Sequence, residues 1–188
     1  MEIIPLITIK NRKILSSEEK IDKINEEQIL YIYDIDGIEK DKPNLCTFQR
    51  LSKTREIWVD TGPRDLGDVV DAFFAGANAI TIRKHLFPKI DISKIREISE
   101  NKIFAAIDFD QKTTDFVYND FDGLINFTNC EKIEQDFKYG NLLKQNTNKN
   151  IVVFTYDSDI GNVNYWKLFG INKFLVDLDK FEEFKNAL

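Results

Sequence analysis

Carboxylates in this chain collect just behind short apolar runs. Asp34 and Asp36 close the run 29–35, Asp60 ends 56–60, Asp108 and Asp110 follow 103–107, Asp157 follows 151–156, and Asp177 and Asp179 flank Leu178. Paired carboxylates suit acid–base chemistry, one group donating a proton while the other removes one. Asp34 and Asp36 are two residues apart, so on a strand they share a side at its carboxyl end, as base or substrate-binding candidates. Capping of the turn at Gly37 is the competing reading. The group Asp157, Asp159, Asp177 and Asp179 could hold Mg²⁺ or a cationic amine, because hard cations take oxygen ligands; otherwise these are solvated loop charges. No resident cofactor is expected. Arg83 and Lys84, with Arg64 beside Gly62, are candidate anion holders. A salt bridge from Arg64 to Asp65 or Asp68 is the plainer alternative. His85, the lone histidine, reads as a packing or surface residue.

The elements that must position these groups alternate. Short β-branched and aromatic runs at 3–9, 29–35, 56–60, 79–82, 103–107, 123–127, 151–154 and 173–176 read as strands. Residues 10–15 suggest a small hairpin arm after the first. Helices are expected from Ser16 or Ser17 to about residue 27, and over 45–54, 65–75, 92–98, 130–145, 162–169 and 180–188. Residues 145–150, rich in Asn and Lys, read as a surface loop. About eight strand–helix repeats favour a parallel sheet closed into a compact (β/α)₈ barrel with shortened connections, a single domain over 1–188. An open doubly wound sheet is the alternative. In either fold, strand carboxyl ends carry the chemistry.

Bulk properties limit the function classes. The 188 residues are 43% hydrophobic and 31% charged, as expected of a soluble globular domain. No apolar stretch reaches membrane-spanning length and the amino terminus lacks a signal-peptide pattern, so a cytoplasmic protein is expected. The net charge of −6 argues against general nucleic-acid binding. Cys46 and Cys130 lack metal-ligand spacing and read as reduced thiols. Trp58, within a strand, is expected to pack rather than to stack on a ligand.

Several runs resemble the histidine-biosynthesis barrel (HisA/HisF-like) family, that of phosphoribosylformimino-imidazolecarboxamide ribotide isomerase and its cyclase relative. Ile3-Ile4-Pro5-Leu6-Ile7 is similar to its opening strand, Tyr33-Asp34-Ile35-Asp36-Gly37 to its second-strand VDLDG, and Lys42-Pro43-Asn44 to the small motif that follows. Residues 59–68 (VDTGPRDLGD) resemble the third-strand GGGIR turn, Ala75-Gly76-Ala77 the AGa before strand four, and Ala106-Ile107-Asp108 the fifth-strand ALD. The resemblance implies an isomerase-type acid–base site with Asp108 as one catalytic carboxylate. Thr8 stands where the family has the other. The phosphate turns are altered: Gly62 remains in the first, Arg64 is added, and Arg83 and Lys84 replace the Gly-Thr pair of strand four. Asp157 lies where the family has a Gly-rich phosphate turn. In length and losses the chain looks most like relatives found in methanogens and some methylotrophs. The implied protein is a diverged enzyme acting on a small anionic, singly phosphorylated metabolite in one-carbon coenzyme biosynthesis. The ribotide isomerase itself and a non-catalytic binding barrel are the alternatives.

Overall fold

The computed structural model describes residues 1–107, 120–135 and 137–187, without the side chains of 137 and 138. Strand β1 (Glu2–Lys10) turns through a short antiparallel arm, β2 (Lys13–Ile14). Seven parallel strands follow: β3 (Leu30–Asp34), β4 (Ile57–Asp60), β5 (Ala79–Arg83), β6 (Lys102–Ile107), β7 (Gly123–Asn126), β8 (Val153–Tyr156) and β9 (Lys173–Asp177). From β4 onward each pairs with its predecessor, and β1 pairs with both β3 and β9, placing Leu6 opposite Tyr31 and Ile4 opposite Leu175. That last pairing closes an eight-stranded parallel barrel and excludes the open sheet. Closure leaves no unpaired edge in the barrel wall.

Helices cover the outside. They are α1 (Glu18–Asp22), α2 (Ile35–Lys40), α3 (Leu45–Leu51), α4 (Leu66–Phe74), α5 (Ile92–Ile98), α6 (Cys130–Gln135), α7 (Phe137–Asn148), α8 (Val163–Lys167) and α9 (Leu178–Asn186). Alternation along each strand sends one row outward and one inward. Ile7, Ile9, Leu30, Ile32, Ile57 and Ile80 pack against Val69, Ala72 and Ile95 of the helices. The inner row, Ile4, Leu6, Tyr31, Trp58, Ala79, Phe104, Ile125, Phe154 and Leu175, fills the barrel. A narrow barrel has room for few side chains, and aromatics dominate here: Trp58 lies 3.9 Å from Phe104 and 5.1 Å from Phe154, centroid to centroid. The expected packing role for Trp58 holds.

The differences from the expected elements have local causes. Asp36 and Gly37 belong to a short helix, α2, because the Asp34 carboxylate accepts from the Gly37 N–H and starts a helix directly at the strand end. Residues 145–148 continue α7 rather than forming a loop; the chain breaks at Asn150, which is left-handed. The helix after Ser17 stops at Asp22.

Candidate functional site

At the carboxyl end of the barrel the inward rows converge. Thr8 continues Ile4 and Leu6, Tyr33 continues Tyr31, Asp60 continues Trp58, Arg83 continues Thr81, Tyr156 continues Phe154, and Asp177 continues Leu175. Phe127, just past β7, joins this rim. Asp108, two residues beyond Ala106, lies outside the described residues, as does Asp110.

The rim is built in layers. In the first, the Thr81 hydroxyl accepts from the Trp58 indole N–H at 2.9 Å and lies 3.0 Å from the Tyr31 hydroxyl. Tyr31 donates to Asp60 Oδ2 at 3.1 Å. Burial, then the Asp60 carboxylate, push the Tyr31 phenol well above its usual range, so it stays a neutral donor. Above it, Arg83 clasps Asp60: Nε donates to Oδ1 at 3.1 Å and Nη2 to Oδ2 at 2.7 Å. The Arg83 and Asp60 side chains are only 5% and 0% exposed. The guanidinium carbon is 4.8 Å from the Phe127 ring centre and 5.4 Å from that of Tyr33, within cation–π range. Phe127 in turn lies 5.6 Å from Tyr33 and 6.1 Å from Tyr156. On the far side, Tyr156 and Ser158 both donate to Asp177 Oδ2 at 2.9 Å. Burial, then Asp177, raise the Tyr156 phenol. A fixed cation, flanking aromatic faces and half-buried hydroxyl and carboxyl groups can orient a small polar molecule and exchange protons with it.

The other sequence candidates have different positions. Asp34 follows the outward row of Leu30 and Ile32 and is fully buried. It accepts from Gly37 N, from Asn44 N and Nδ2 (2.9 and 2.7 Å) and from the Thr61 hydroxyl at 3.1 Å, tying two loops to β3. Burial raises its pKa and these bonds counter it. Asp36 is held by Lys40 Nζ at 2.8 Å and by the Arg12 N–H at 2.8 Å. Lys40 first, then Arg12, hold its carboxyl well below the usual range. The two aspartates therefore do not share a strand side. Strand alternation ends at Asp34, and Asp36 is already in the helix that begins at Ile35.

Gly62 sits at φ 63°, where an added Cβ would lie 2.7 Å from Leu86 Cδ1 and 2.9 Å from Ile38 Cα. Its role here is close approach of the two loops. Arg64 joins them, donating to the carbonyls of Gly37, Gly62 and Ile38 and pairing with Asp41 at 2.9 Å. Its own N–H is held by Asp68. Lys84 is half-buried and His85 exposed in the turn after β5. Asp157 accepts from the Trp166 indole at 2.7 Å and from Asn162 at 3.0 Å, bracing the loop after β8. Asp159 caps a single helical turn, and Asp179 pairs with Lys20 outside the barrel. Among the described residues, no three His, Cys, Asp or Glu side chains are grouped to hold a metal ion.

Sequence reasoning left Tyr33, Phe127 and Tyr156 out of the site and gave Asp60 only as one strand-end carboxylate among several. The available signal was the inward row: Asp60 shares the parity of Trp58, and Tyr156 that of Phe154.

This arrangement defines a (β/α)₈ barrel whose carboxyl-end rim is polar and aromatic. Among solved structures, the chain is similar to the crystal structure of 3-hexulose-6-phosphate synthase from Salmonella typhimurium, at 12% identity and a TM-score of 0.64 over 100% of this chain and 98% of that one. Likeness at that identity establishes the barrel and does not extend to the histidine-biosynthesis family. No family profile and no curated protein matches the chain. Among the described residues, no helix is long and apolar enough to cross a membrane.

Proposed function

We propose that this barrel is an enzyme of isomerase or lyase type that moves a proton on a small anionic, phosphorylated metabolite bound at the carboxyl-end rim. The observation that carries the reading is the Asp60–Arg83 pair. A buried ion pair brings little net stability over apolar packing of the same volume, so its place at the mouth supports a role in chemistry. Barrel enzymes keep their catalytic groups at this end. The structural likeness to a barrel enzyme named for a phosphosugar agrees with the reading.

As proposed, Asp108 removes a proton from the hydroxyl-bearing carbon next to a carbonyl to give an enediol, then returns it to the former carbonyl carbon while the hydroxyl proton passes to the former carbonyl oxygen. Arg83 faces the negative charge that develops on the carbonyl oxygen, and the Tyr33 and Phe127 faces enclose the ligand. Lys84 and Thr8 border the same rim. Gly62, Arg64, Asp34 and Asp157 hold its loops. No cofactor enters this scheme. The ribotide isomerase of histidine biosynthesis is the finer alternative from the sequence resemblance, which gives the work of the carboxylate that Thr8 replaces to Asp34 or Asp36; Asp60 and Asp177, at the barrel rim, are better situated for it. A non-catalytic binding barrel is favoured by one observation: Asp34, Arg64 and Asp157 are all engaged in bracing loops.

The deciding experiment is a melting-temperature screen against phosphorylated metabolites, since a ligand of the native state must raise it. A metabolite that shifts wild type and Asp108→Asn alike, is turned over only by wild type, and fails to shift Arg83→Met supports the enzyme. A shift with no turnover by either protein supports the binding barrel. Growth of a histidine auxotroph lacking the isomerase would select the finer alternative.

A further inference from the structure

Between the β1–β2 arm and α2 lies a cavity of about 250 Å³ lined by Asn11, Arg12, Asp36, Lys40 and Lys42. Backbone turns and one lysine bridge join its walls. The arm turns through left-handed Asn11 (φ 52°) and Arg12 (φ 62°). Lys40 Nζ joins Asn11 Oδ1 at 2.9 Å to Asp36 Oδ1 at 2.8 Å. Left-handed Asp41 then brings round Lys42, whose N–H is bonded to the Asp36 carbonyl. Three cations thus meet one carboxylate, on a chain whose net charge is −6. Lys40 answers that carboxylate. Among the described residues, neither the Arg12 guanidinium nor the Lys42 ammonium has an ion-pair partner, and both residues are exposed.

The arm is a two-residue hairpin with positive φ at both central residues, the turn such a link favours, so the backbone sets where Asn11 and Arg12 stand. The arm leaves the carboxyl end of β1 and α2 leaves that of β3, so the cavity is on the same end of the barrel as the Asp60–Arg83 rim. Whole small-molecule sites take about 300–1,000 Å³, so a cavity of this size suits one charged group of a ligand.

We propose that this cavity is the anchoring subsite for the phosphomonoester group of the metabolite. Arg12 and Lys42 bind its oxygens, Lys40 and Asn11 shape the wall, and the rest of the ligand extends over Thr8 and Tyr33 into the mouth. The assignment rests on the anionic substrate proposed above but uses none of the mouth residues.

The test is titration with inorganic phosphate at low salt, followed by calorimetry and ³¹P line width. The proteins are wild type, the double variant Arg12→Gln/Lys42→Gln, Arg12→Lys, and Lys149→Gln as a distant control. Wild type and Lys149→Gln should bind alike, the double variant at least about tenfold more weakly, and Arg12→Lys close to wild type. Binding should weaken as salt is raised. A wild type that binds no phosphate, or a double variant that binds it equally well, overturns the subsite. Binding lost in Arg83→Met but kept in the double variant also overturns it, while leaving the mouth reading standing. A single-stranded RNA 12-mer that binds through Arg12 and Lys42 and is not displaced by phosphate would overturn it in favour of a nucleic-acid surface.

Discussion

Arg83 and Asp60, from neighbouring strands, form a two-pronged ion pair inside the barrel, with Nη2 2.7 Å from Oδ2 and both side chains out of solvent. Removing one member strands the other in a poorly solvated place. Asp60→Ala should therefore lose about 3–5 kcal/mol of unfolding free energy, read from urea titration. The double variant Asp60→Leu/Arg83→Met should recover most of that loss. A single variant within about 1 kcal/mol of wild type would show that solvent reaches the pair.

Asp36 makes stability depend on pH in a definite direction. Lys40 and the Arg12 N–H lower its folded-state pKa from 3.8, whereas the unfolded chain keeps the ordinary value. Between the two values the unfolded state binds more protons, so this contribution is complete above about pH 4 and is lost as pH falls towards the folded-state value. Asp36→Asn has no such group to titrate. The stability gap between the two proteins should be constant near neutrality and narrow below about pH 4, measured by urea unfolding across that range. Asp34 has the opposite sign. Burial raises its pKa, so its ionisation costs stability as pH rises through the interval above 3.8.

Two glycines set how closely the loops approach. A Cβ on Gly37 would fall 2.1 Å from the Thr61 hydroxyl oxygen and 2.5 Å from its carbonyl. On Gly62 it would also require positive φ. Each Gly→Ala change should cost about 1–3 kcal/mol and lower the melting temperature accordingly. Gly67→Ala, whose nearest contact is the Asp65 carboxylate at 3.1 Å, is the mild comparison.

The two thiols should differ sharply in reactivity. Cys46 is exposed, whereas burial, then the Asp157 carboxylate, push the Cys130 thiol up to about 12. At about pH 8 a disulfide reagent should titrate one thiol quickly and the second slowly, because only the thiolate reacts. Asp157→Asn should speed the slow phase modestly, since burial remains.

The fold was legible because apolar runs of strand length recur with turn signals between them, and seven parallel links in sequence admit few arrangements other than closure. The site was legible only in part. Every strand-end acid looks alike in one dimension, yet a one-residue change of parity decides whether it enters the barrel or joins the loops. Asp60 has the parity of Trp58 and faces in; Asp34 has that of Ile32 and faces out. Arg64 has the composition of an anion holder, but three backbone carbonyls left by the loop ends take its donors. Such demands arise from tertiary contacts that no local pattern records. The arm, by contrast, was visible as a hairpin at 10–15, while its cationic cavity needed α2 beside it.

Proton transfer at the rim can be followed directly. The phosphorylated carbonyl metabolite giving the largest melting shift is incubated with the protein in D₂O, and loss of its C–H signal beside the carbonyl is followed by ¹H NMR. Wild type should exchange that proton for deuterium, Asp108→Asn should bind without exchange, and Arg83→Met should do neither. Equal exchange by wild type and Asp108→Asn, or none by wild type with the ligand bound, would contradict acid–base catalysis at this barrel mouth.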